Sequence, residues 1–154
     1  MLTEEIKKEL IKKSLEIRKR AYCPYSKYCV GAAILCGSGK IYTGHNIENS
    51  SYGATNCAER TAVFKAVSEG ERVIKAISIS GCNIEEKEKM KEDKNEFNFA
   101  YPCGICRQVL REFSNPKELQ VIIAASETNY NQMTLEELLP HSYGPDYLLT
   151  ENKK

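Results

Sequence analysis

The sequence predicts an α/β sandwich, in which helices cover the faces of a mixed β-sheet. Segments with the periodicity of amphipathic helices alternate along the chain with short apolar runs typical of buried strands. The chain has 154 residues, 42% of them apolar and 28% charged, which is enough for one domain with its own core. Because no internal repeat or linker interrupts this pattern, we expect residues 1–154 to form a single domain.

The N-terminal part predicts a helix followed by a hairpin. Thr3, as an N-cap, and the acidic residues Glu4 and Glu5 predict the start of an amphipathic helix over residues 3 to about 20. Pro24 ends the element. The apolar run 28–36, the glycine-containing turn 37–39 and the segment 40–44 then predict a β-hairpin.

The middle of the chain predicts a long loop, a helix and a strand. The polar segment 45–56 is too long to be a mere connection, and loops of this kind usually carry function. A helix opens at Asn56 or Cys57 and is closed by Gly70. Residues 73–80 alternate partly between apolar and polar and predict a strand.

The C-terminal part begins with a charged insert at about 85–98, to which no chemistry is assigned. A helix then opens at the Pro-Cys-Gly-Ile-Cys run and continues to about Phe113. An apolar run at 119–125 predicts a buried strand, and 134–139 predicts a short capped helix.

Composition excludes several functional classes. The formal net charge of +1 gives no basic surplus for binding nucleic acid. The apolar runs are far shorter than the roughly 20 residues of a membrane span. The first ten residues are charged and contain no apolar signal core. We therefore expect a cytoplasmic protein with neither nucleic-acid nor membrane partners.

Seven cysteines stand in the chain, and a reducing compartment makes a disulfide framework unexpected. Cys57, Cys103 and Cys106 lie at predicted helix starts, where unpaired backbone N–H groups favour a thiolate. The C-x-x-C spacing lets two sulfurs of one helical turn reach a single ion, and Cys57 supplies a third. The others are interpreted as packing or loop residues: Cys23, Cys29, Cys36 and Cys82.

A site with three protein ligands is typical of catalytic zinc, because the fourth position is left for water. Neither His45 nor His141 has a spacing that would complete the shell. Glu59, two residues after Cys57, can point into the site without binding the metal and move protons there. Three thiolates weaken the metal as a Lewis acid, and Arg60 could compensate with a nearby positive charge.

Other interpretations of the cysteine pattern remain open. A single C-x-x-C is also found in redox motifs and in structural zinc sites. A thioredoxin-like motif needs no distant third cysteine or neighbouring glutamate, and a zinc ribbon needs a second C-x-x-C pair, which the chain lacks. A zinc-stabilised binding module without catalysis is a further alternative, and it would not need Glu59.

Around the cysteines, Glu59 and the polar loop 45–56, the chain closely resembles the small, single-domain cytidine deaminases of pyrimidine salvage. The similarity runs from about Ala21 to about Tyr147. Four stretches carry it in order: AYCPYSKYCVGAAIL, GHNIENSSYGATNCAERTAVFKAVSEG, PCGICRQVLREF and LEELLPHSYGP. The combination of a non-ligating glutamate, three metal-binding residues and a P-C-x-x-C segment is that of zinc deaminases.

The resemblance implies a three-layer α/β/α sandwich around a central mixed five-stranded sheet. It also implies one Zn²⁺ per subunit, held by Cys57, Cys103 and Cys106, with Glu59 as the proton carrier. The expected reaction converts cytidine and 2′-deoxycytidine to uridine and 2′-deoxyuridine with release of ammonia. A homotetramer with active sites shared between subunits is expected as well.

The resemblance also assigns contacts with a nucleoside. Asn46 and Glu48 would bind the ribose hydroxyls, and Tyr52 belongs to the same loop. Ala58 would offer its backbone N–H to the pyrimidine carbonyl. Tyr28 occupies a position where the family usually has Phe packing against the nucleoside, so its hydroxyl needs a partner.

The remaining assignments concern the surroundings of the site. Arg60 and Gln108 match residues that form hydrogen bonds around the zinc thiolates. Tyr143 matches an aromatic residue that stacks on the base in a neighbouring subunit. His45 stands where the family commonly has Cys, and the insert is longer than usual.

Rival deaminase substrates are a nucleoside antibiotic and cytosine in a polynucleotide. The Asn-Ile-Glu-Asn loop favours a free nucleoside, and the absence of a basic surplus disfavours a polynucleotide.

Overall fold

The computed structural model describes residues 2–85 and 99–149. Within these ranges no helix is both long enough and apolar enough to cross a membrane. The described residues form helices and strands in this order: α1 (Glu4–Ile17), β1 (Tyr28–Cys36), β2 (Ile41–His45), α2 (Ala58–Ser68), β3 (Ile74–Asn83), α3 (Gly104–Glu112), β4 (Gln120–Ala124), β5 (Tyr130–Thr134) and α4 (Leu135–Leu138).

The five strands form one sheet in the order β2-β1-β3-β4-β5. β1 pairs antiparallel with β2 and with β3, and β4 pairs antiparallel with β5. Only the central β3 and β4 run parallel among these pairs, with Ile77 opposite Val121. The expected mixed five-stranded sheet is therefore confirmed.

The sheet separates two apolar layers because successive side chains of a strand point to opposite faces. On one face, Ala33 and Leu35 of β1 pack with Leu10 of α1. On the other face, Ala32 and Ile34 belong to the larger core that α2 and α3 cover. This arrangement is the three-layer α/β/α sandwich that the family resemblance implies.

The helices and strands agree with the predicted ones except at their ends and at one edge of the sheet. The first helix ends earlier than expected and continues as a 3₁₀ turn at Arg18–Arg20. β3 continues to Asn83 rather than ending at residue 80. The residue pattern did not locate β5, because this edge strand is half-exposed and lacks regular apolar alternation. Residues 86–98 of the charged insert lie outside the described residues.

Candidate active site

The site lies where two helices begin side by side. Cys57 is the N-cap of α2 and Cys103 is the N-cap of α3, and both have extended backbones. Neither helix start has a side-chain capping hydrogen bond. The first N–H groups of both helices, with the positive ends of their dipoles, therefore stay available to negative charge at the cysteines.

The three predicted cysteines come together at this point. The sulfurs of Cys57, Cys103 and Cys106 all lie within 4.8 Å of one another, and the Sγ atoms of Cys57 and Cys103 are 3.9 Å apart. Zinc–sulfur bonds of about 2.3 Å in a tetrahedral shell separate two sulfurs by roughly 3.8 Å. The donor set therefore fits Zn²⁺ in both chemistry and spacing.

Positive charge next to the sulfurs comes from Arg60. Its Nη2 donates to Cys57 Sγ at 3.4 Å and to the Thr55 carbonyl at 3.4 Å. Hydrogen bonding from the Cys106 thiol and interaction with Arg60 lower the pKa of Cys57 to about 5, against the opposing effect of burial. The same bond to Cys57, together with burial, raises the pKa of Cys106. Negative charge in the cluster is thus stabilised at Cys57.

Glu59 is enclosed beside these sulfurs. Its side chain is only 4% exposed, and it lines the same cavity as Cys57 and Cys103. Burial raises the pKa of Glu59 to about 7, and the negative charge of Cys57 adds to this increase. A carboxyl group with such a pKa can both accept and donate a proton near neutral pH.

A cavity of about 420 Å³ opens in front of the cysteines and Glu59. Its volume is in the range of small-molecule sites. Four parts of the chain line it: β1, the polar loop after β2, the start of α2 and the segment before α3. The lining residues are Tyr28, Val30, Asn46, Glu48, Thr55, Asn56, Cys57, Ala58, Glu59, Ala100, Tyr101 and Cys103.

The two polar residues expected to bind ribose are fixed by the protein backbone. Asn46 Oδ1 accepts from Val30 N at 2.9 Å, while its Nδ2 donates to the Tyr28 carbonyl at 2.9 Å. Glu48 Oε2 accepts from the N–H groups of Tyr25 and Ser26 at 2.9 and 3.2 Å. Both side chains are 9% exposed and face the cavity with little freedom to move.

The other expected substrate contacts divide into two groups. Tyr28 and Ala58 line the cavity. Tyr52 is 78% exposed and Tyr143 is 56% exposed, and neither belongs to the cavity lining of the described chain. His45 ends β2, and its Nδ1 lies 3.0 Å from the Asn46 carbonyl oxygen rather than in the cavity.

Gln108 makes a contact that sequence reasoning did not anticipate. Its Nε2 donates to the Tyr143 carbonyl at 3.0 Å. The side chain is thus engaged with the C-terminal segment, and a bond from the same amide to a zinc thiolate remains a prediction.

Sequence reasoning missed several cavity residues. Asn56 directly precedes Cys57, and its Nδ2 donates to Thr61 Oγ1 at 3.0 Å. Tyr101 stands next to the Pro-Cys segment, and its hydroxyl accepts from Asn131 Nδ2 at 3.1 Å. Adjacency in sequence to the metal-site cysteines was the one signal that could have identified both.

Comparisons with known proteins agree on one family. The model of the cytidine and deoxycytidylate deaminase zinc-binding region matches residues 4–123. A curated cytidine deaminase of Halalkalibacterium halodurans is 42% identical over 87% of this chain and 91% of its own length. One of Sporosarcina psychrophila is 42% identical over 91% of this chain and 93% of its own.

Solved structures give the same result. A crystal structure of cytidine deaminase from Burkholderia pseudomallei superposes with a TM-score of 0.75 at 35% identity, covering 92% of this chain and 99% of that one. The enzyme from Mycobacterium tuberculosis superposes with a TM-score of 0.67 at 32% identity, covering 88% of this chain and 95% of that one.

Proposed function

The chain belongs to the cytidine and deoxycytidylate deaminase family, and from this membership we propose that it hydrolyses cytidine and 2′-deoxycytidine to uridine and 2′-deoxyuridine with release of ammonia. The observation that carries the proposal is the buried carboxyl group of Glu59 next to the clustered sulfurs of Cys57, Cys103 and Cys106, at a cavity of about 420 Å³ that Glu59, Cys57 and Cys103 line. One Zn²⁺ per chain is assigned to those sulfurs.

Proton movement in this reaction belongs to Glu59. When bound, Zn²⁺ with an open coordination position lowers the pKa of water towards 7 and so supplies a nucleophile at neutral pH. The Glu59 carboxylate accepts the proton of the attacking water and delivers it to N3 of the base. Glu59 then takes the proton of the hydroxyl group newly bound to C4 and passes it to the amine, so that the C4–N bond breaks, the C4 carbonyl forms and ammonia leaves. The enclosed position of Glu59 keeps these transfers out of bulk solvent.

A free nucleoside is the proposed substrate because the cavity pairs an amide with a carboxylate. Asn46 and Glu48, held by the backbone contacts described above, would bind the ribose hydroxyls, and Tyr28 would pack against the nucleoside. The Ala58 N–H, at the first position of α2, would hold the pyrimidine carbonyl. With this substrate, the proposed role is in pyrimidine salvage and the proposed location is the cytoplasm.

The proposed assembly is a homotetramer of single-domain subunits. Tyr143 stacks on Tyr147, with ring centroids 5.3 Å apart, and both rings are largely exposed, outside the cavity of their own chain. An exposed aromatic pair fixed to α3 through Gln108 is suited to reach the cavity of a neighbouring subunit. Tyr52, which is also exposed and absent from the cavity lining of its own chain, is proposed to contact substrate near such an interface.

The decisive test removes the proton carrier. We expect Glu59→Gln to retain its fold and zinc while the kcat for cytidine falls by about 10²–10⁴-fold. Loss of ultraviolet absorbance measures turnover, and atomic absorption measures zinc. Glu112→Gln, a change of an exposed residue at the end of α3, is the matched control and should keep full activity. A Glu59→Gln enzyme with near-normal turnover would refute the proton-carrier role.

The same assay compares cytidine with blasticidin S and single-stranded DNA. Turnover of cytidine alone is the expected outcome. If zinc is bound and cytidine is inert, the proposed substrate is wrong. Turnover of blasticidin S or of single-stranded DNA would then assign the site to a rival deaminase. If none of the three compounds is turned over, a zinc-stabilised binding module is favoured.

A further inference from the structure

A second group of cysteines lies outside the proposed active site. Cys23, Cys29 and Cys82 form a small buried cluster of their own, in which Cys29 of β1 is the cross-strand partner of Cys82 in β3. Within it the Sγ atoms of Cys23 and Cys29 are 3.1 Å apart. A disulfide has an S–S separation of about 2.05 Å, so a movement of about 1 Å would close the bond.

The backbone between these two thiols already folds back on itself. Lys27 N donates to the Cys23 carbonyl at 3.1 Å, and the Lys27 carbonyl accepts from Ile84 N at 2.7 Å. Lys27 has a φ of 58°, the left-handed conformation that reverses the chain before β1. Cys23 and Cys29 are therefore held face to face by a turn that is anchored to the end of β3.

The same turn holds Glu48. The two backbone N–H groups that bind Glu48 Oε2 belong to Tyr25 and Ser26, between the two cysteines. Any covalent link between Cys23 and Cys29 would close a ring around these donors. The position of the Glu48 carboxylate in the cavity thus depends on the segment between Cys23 and Cys29, which a disulfide would restrain.

We propose that Cys23 and Cys29 are a modification site, which a peroxide oxidises to a reversible disulfide that locks the turn around Glu48. The pair belongs to its own buried cluster and is not among the three sulfurs of the metal site. Reversible disulfides of this kind in reducing compartments report on oxidants rather than supporting the fold.

The chemistry balances with hydrogen peroxide as the oxidant. Cys23 is the first nucleophile because it is the less completely buried of the two thiols, 3% exposed against 0% for Cys29, and its thiol proton goes to the departing hydroxide. Its sulfur attacks one peroxide oxygen, the O–O bond breaks, and one water leaves, which gives a sulfenic acid. The Cys29 sulfur then attacks the Cys23 sulfur, the S–O bond breaks, and a second water leaves. Both sulfurs are oxidised and the peroxide is reduced.

The experiment treats the zinc-loaded, full-length protein with hydrogen peroxide, blocks remaining thiols and maps peptides by mass spectrometry. We expect a Cys23–Cys29 link in the wild type that dithiothreitol reverses. Amide hydrogen exchange at Tyr25 and Ser26 should slow several-fold on oxidation. This readout does not depend on turnover, so it separates failure of this proposal from failure of the proposed function.

Variants complete the test. Cys23→Ser and Cys29→Val should each abolish both the link and the slowed exchange. Cys36→Ala, a change in the same strand but in the core on the other face of the sheet, should preserve both effects. The proposal would be overturned if Cys23 and Cys29 were each found alkylated after peroxide treatment, or if Cys29 were linked to Cys82 instead of Cys23. Unchanged amide exchange at Tyr25 and Ser26 in the oxidised protein would also overturn it.

Discussion

At the scale of single residues, the polar side chains of the cavity have structural partners before any substrate arrives. The side-chain oxygen and nitrogen of Asn46 both form hydrogen bonds with the backbone of β1. One carboxylate oxygen of Glu48 accepts hydrogen bonds from the turn after Cys23. Such bonds fix the rotamers of groups that would otherwise lose conformational entropy on binding. The proposed ribose contacts are thus preorganised by residues 16 to 23 positions away in sequence.

Glu48 also predicts a pH-dependent contribution to stability. Burial raises its pKa, but hydrogen bonds from the Ser26 side chain and from the N–H groups of Tyr25 and Ser26 outweigh burial, and the net pKa is lowered. A lowered pKa stabilises the fold above the unfolded value of about 4.3, and that contribution is lost as the pH falls through the folded value.

Replacing Glu48 with Gln should therefore lower the free energy of unfolding by about 1–2 kcal/mol at neutral pH, because charge-assisted hydrogen bonds are lost. The difference from wild type should shrink below about pH 4.3. Urea unfolding between neutral and acidic pH measures it, with the exposed Glu118→Gln as control. A difference that grows towards acid would contradict the assignment.

At the scale of secondary-structure elements, the site depends on how closely α2 packs on the sheet. Gly44 of β2 lies directly beneath this helix. A Cβ atom added there would be 2.4 Å from Ala62 N and 2.6 Å from the Ala58 carbonyl oxygen. Only a residue without a side chain allows this approach, which holds the start of α2, and with it Cys57 and Glu59, against the cavity.

Gly44→Ala should therefore destabilise the protein by about 1–3 kcal/mol and weaken zinc binding, because α2 must move away from β2. Urea unfolding and a competitive zinc chelator measure the two effects. Gly53→Ala is the matched control, since an added Cβ at Gly53 meets no atom within 4 Å. Equal stabilities of the two variants would show that the helix tolerates the displacement.

At the scale of the whole molecule, eight of the twelve exposed large apolar side chains of the described chain fall in two regions. One surrounds the loops near the cavity and the other is the C-terminal segment: Tyr22, Tyr25, Ile47 and Tyr52 in the first, Tyr143, Tyr147, Leu148 and Leu149 in the second. In each region two of these rings are in contact, Tyr25 with Tyr52 and Tyr143 with Tyr147, and clustered exposed apolar side chains are typical of surfaces that bind another protein. It supports the proposed association of identical subunits.

The proposed tetramer predicts a particle of four times the 17.4 kDa mass of one chain. Sedimentation equilibrium or light scattering measures it. Tyr143→Ala should raise the KM for cytidine while leaving the fold intact, because the ring would stack on a base in a neighbouring subunit. A monomer with full activity would contradict both the assembly and the shared site.

The sequence by itself determined the reaction class and most of the fold. Cys57 and Glu59 are two residues apart and Cys103 and Cys106 three apart, so local spacing predicted a carboxyl group beside one ligand and two ligands on one helical turn. That the two segments share one metal was predicted from the family resemblance, and the structure brings their sulfurs together. The apolar runs of β1, β3 and β4 likewise identified the central strands, because both faces of these strands are covered.

Only the tertiary structure decided features that depend on contacts between distant residues. β5 owes its place to pairing with β4 rather than to its own residue pattern. The Gln108–Tyr143 bond, the backbone partners of Glu48 and the close Cys23–Cys29 sulfurs likewise arise from how loops and helices meet. Sequence periodicity records which side of an element is buried, but not which distant polar group or sulfur it will face, because that depends on the packing of the whole chain.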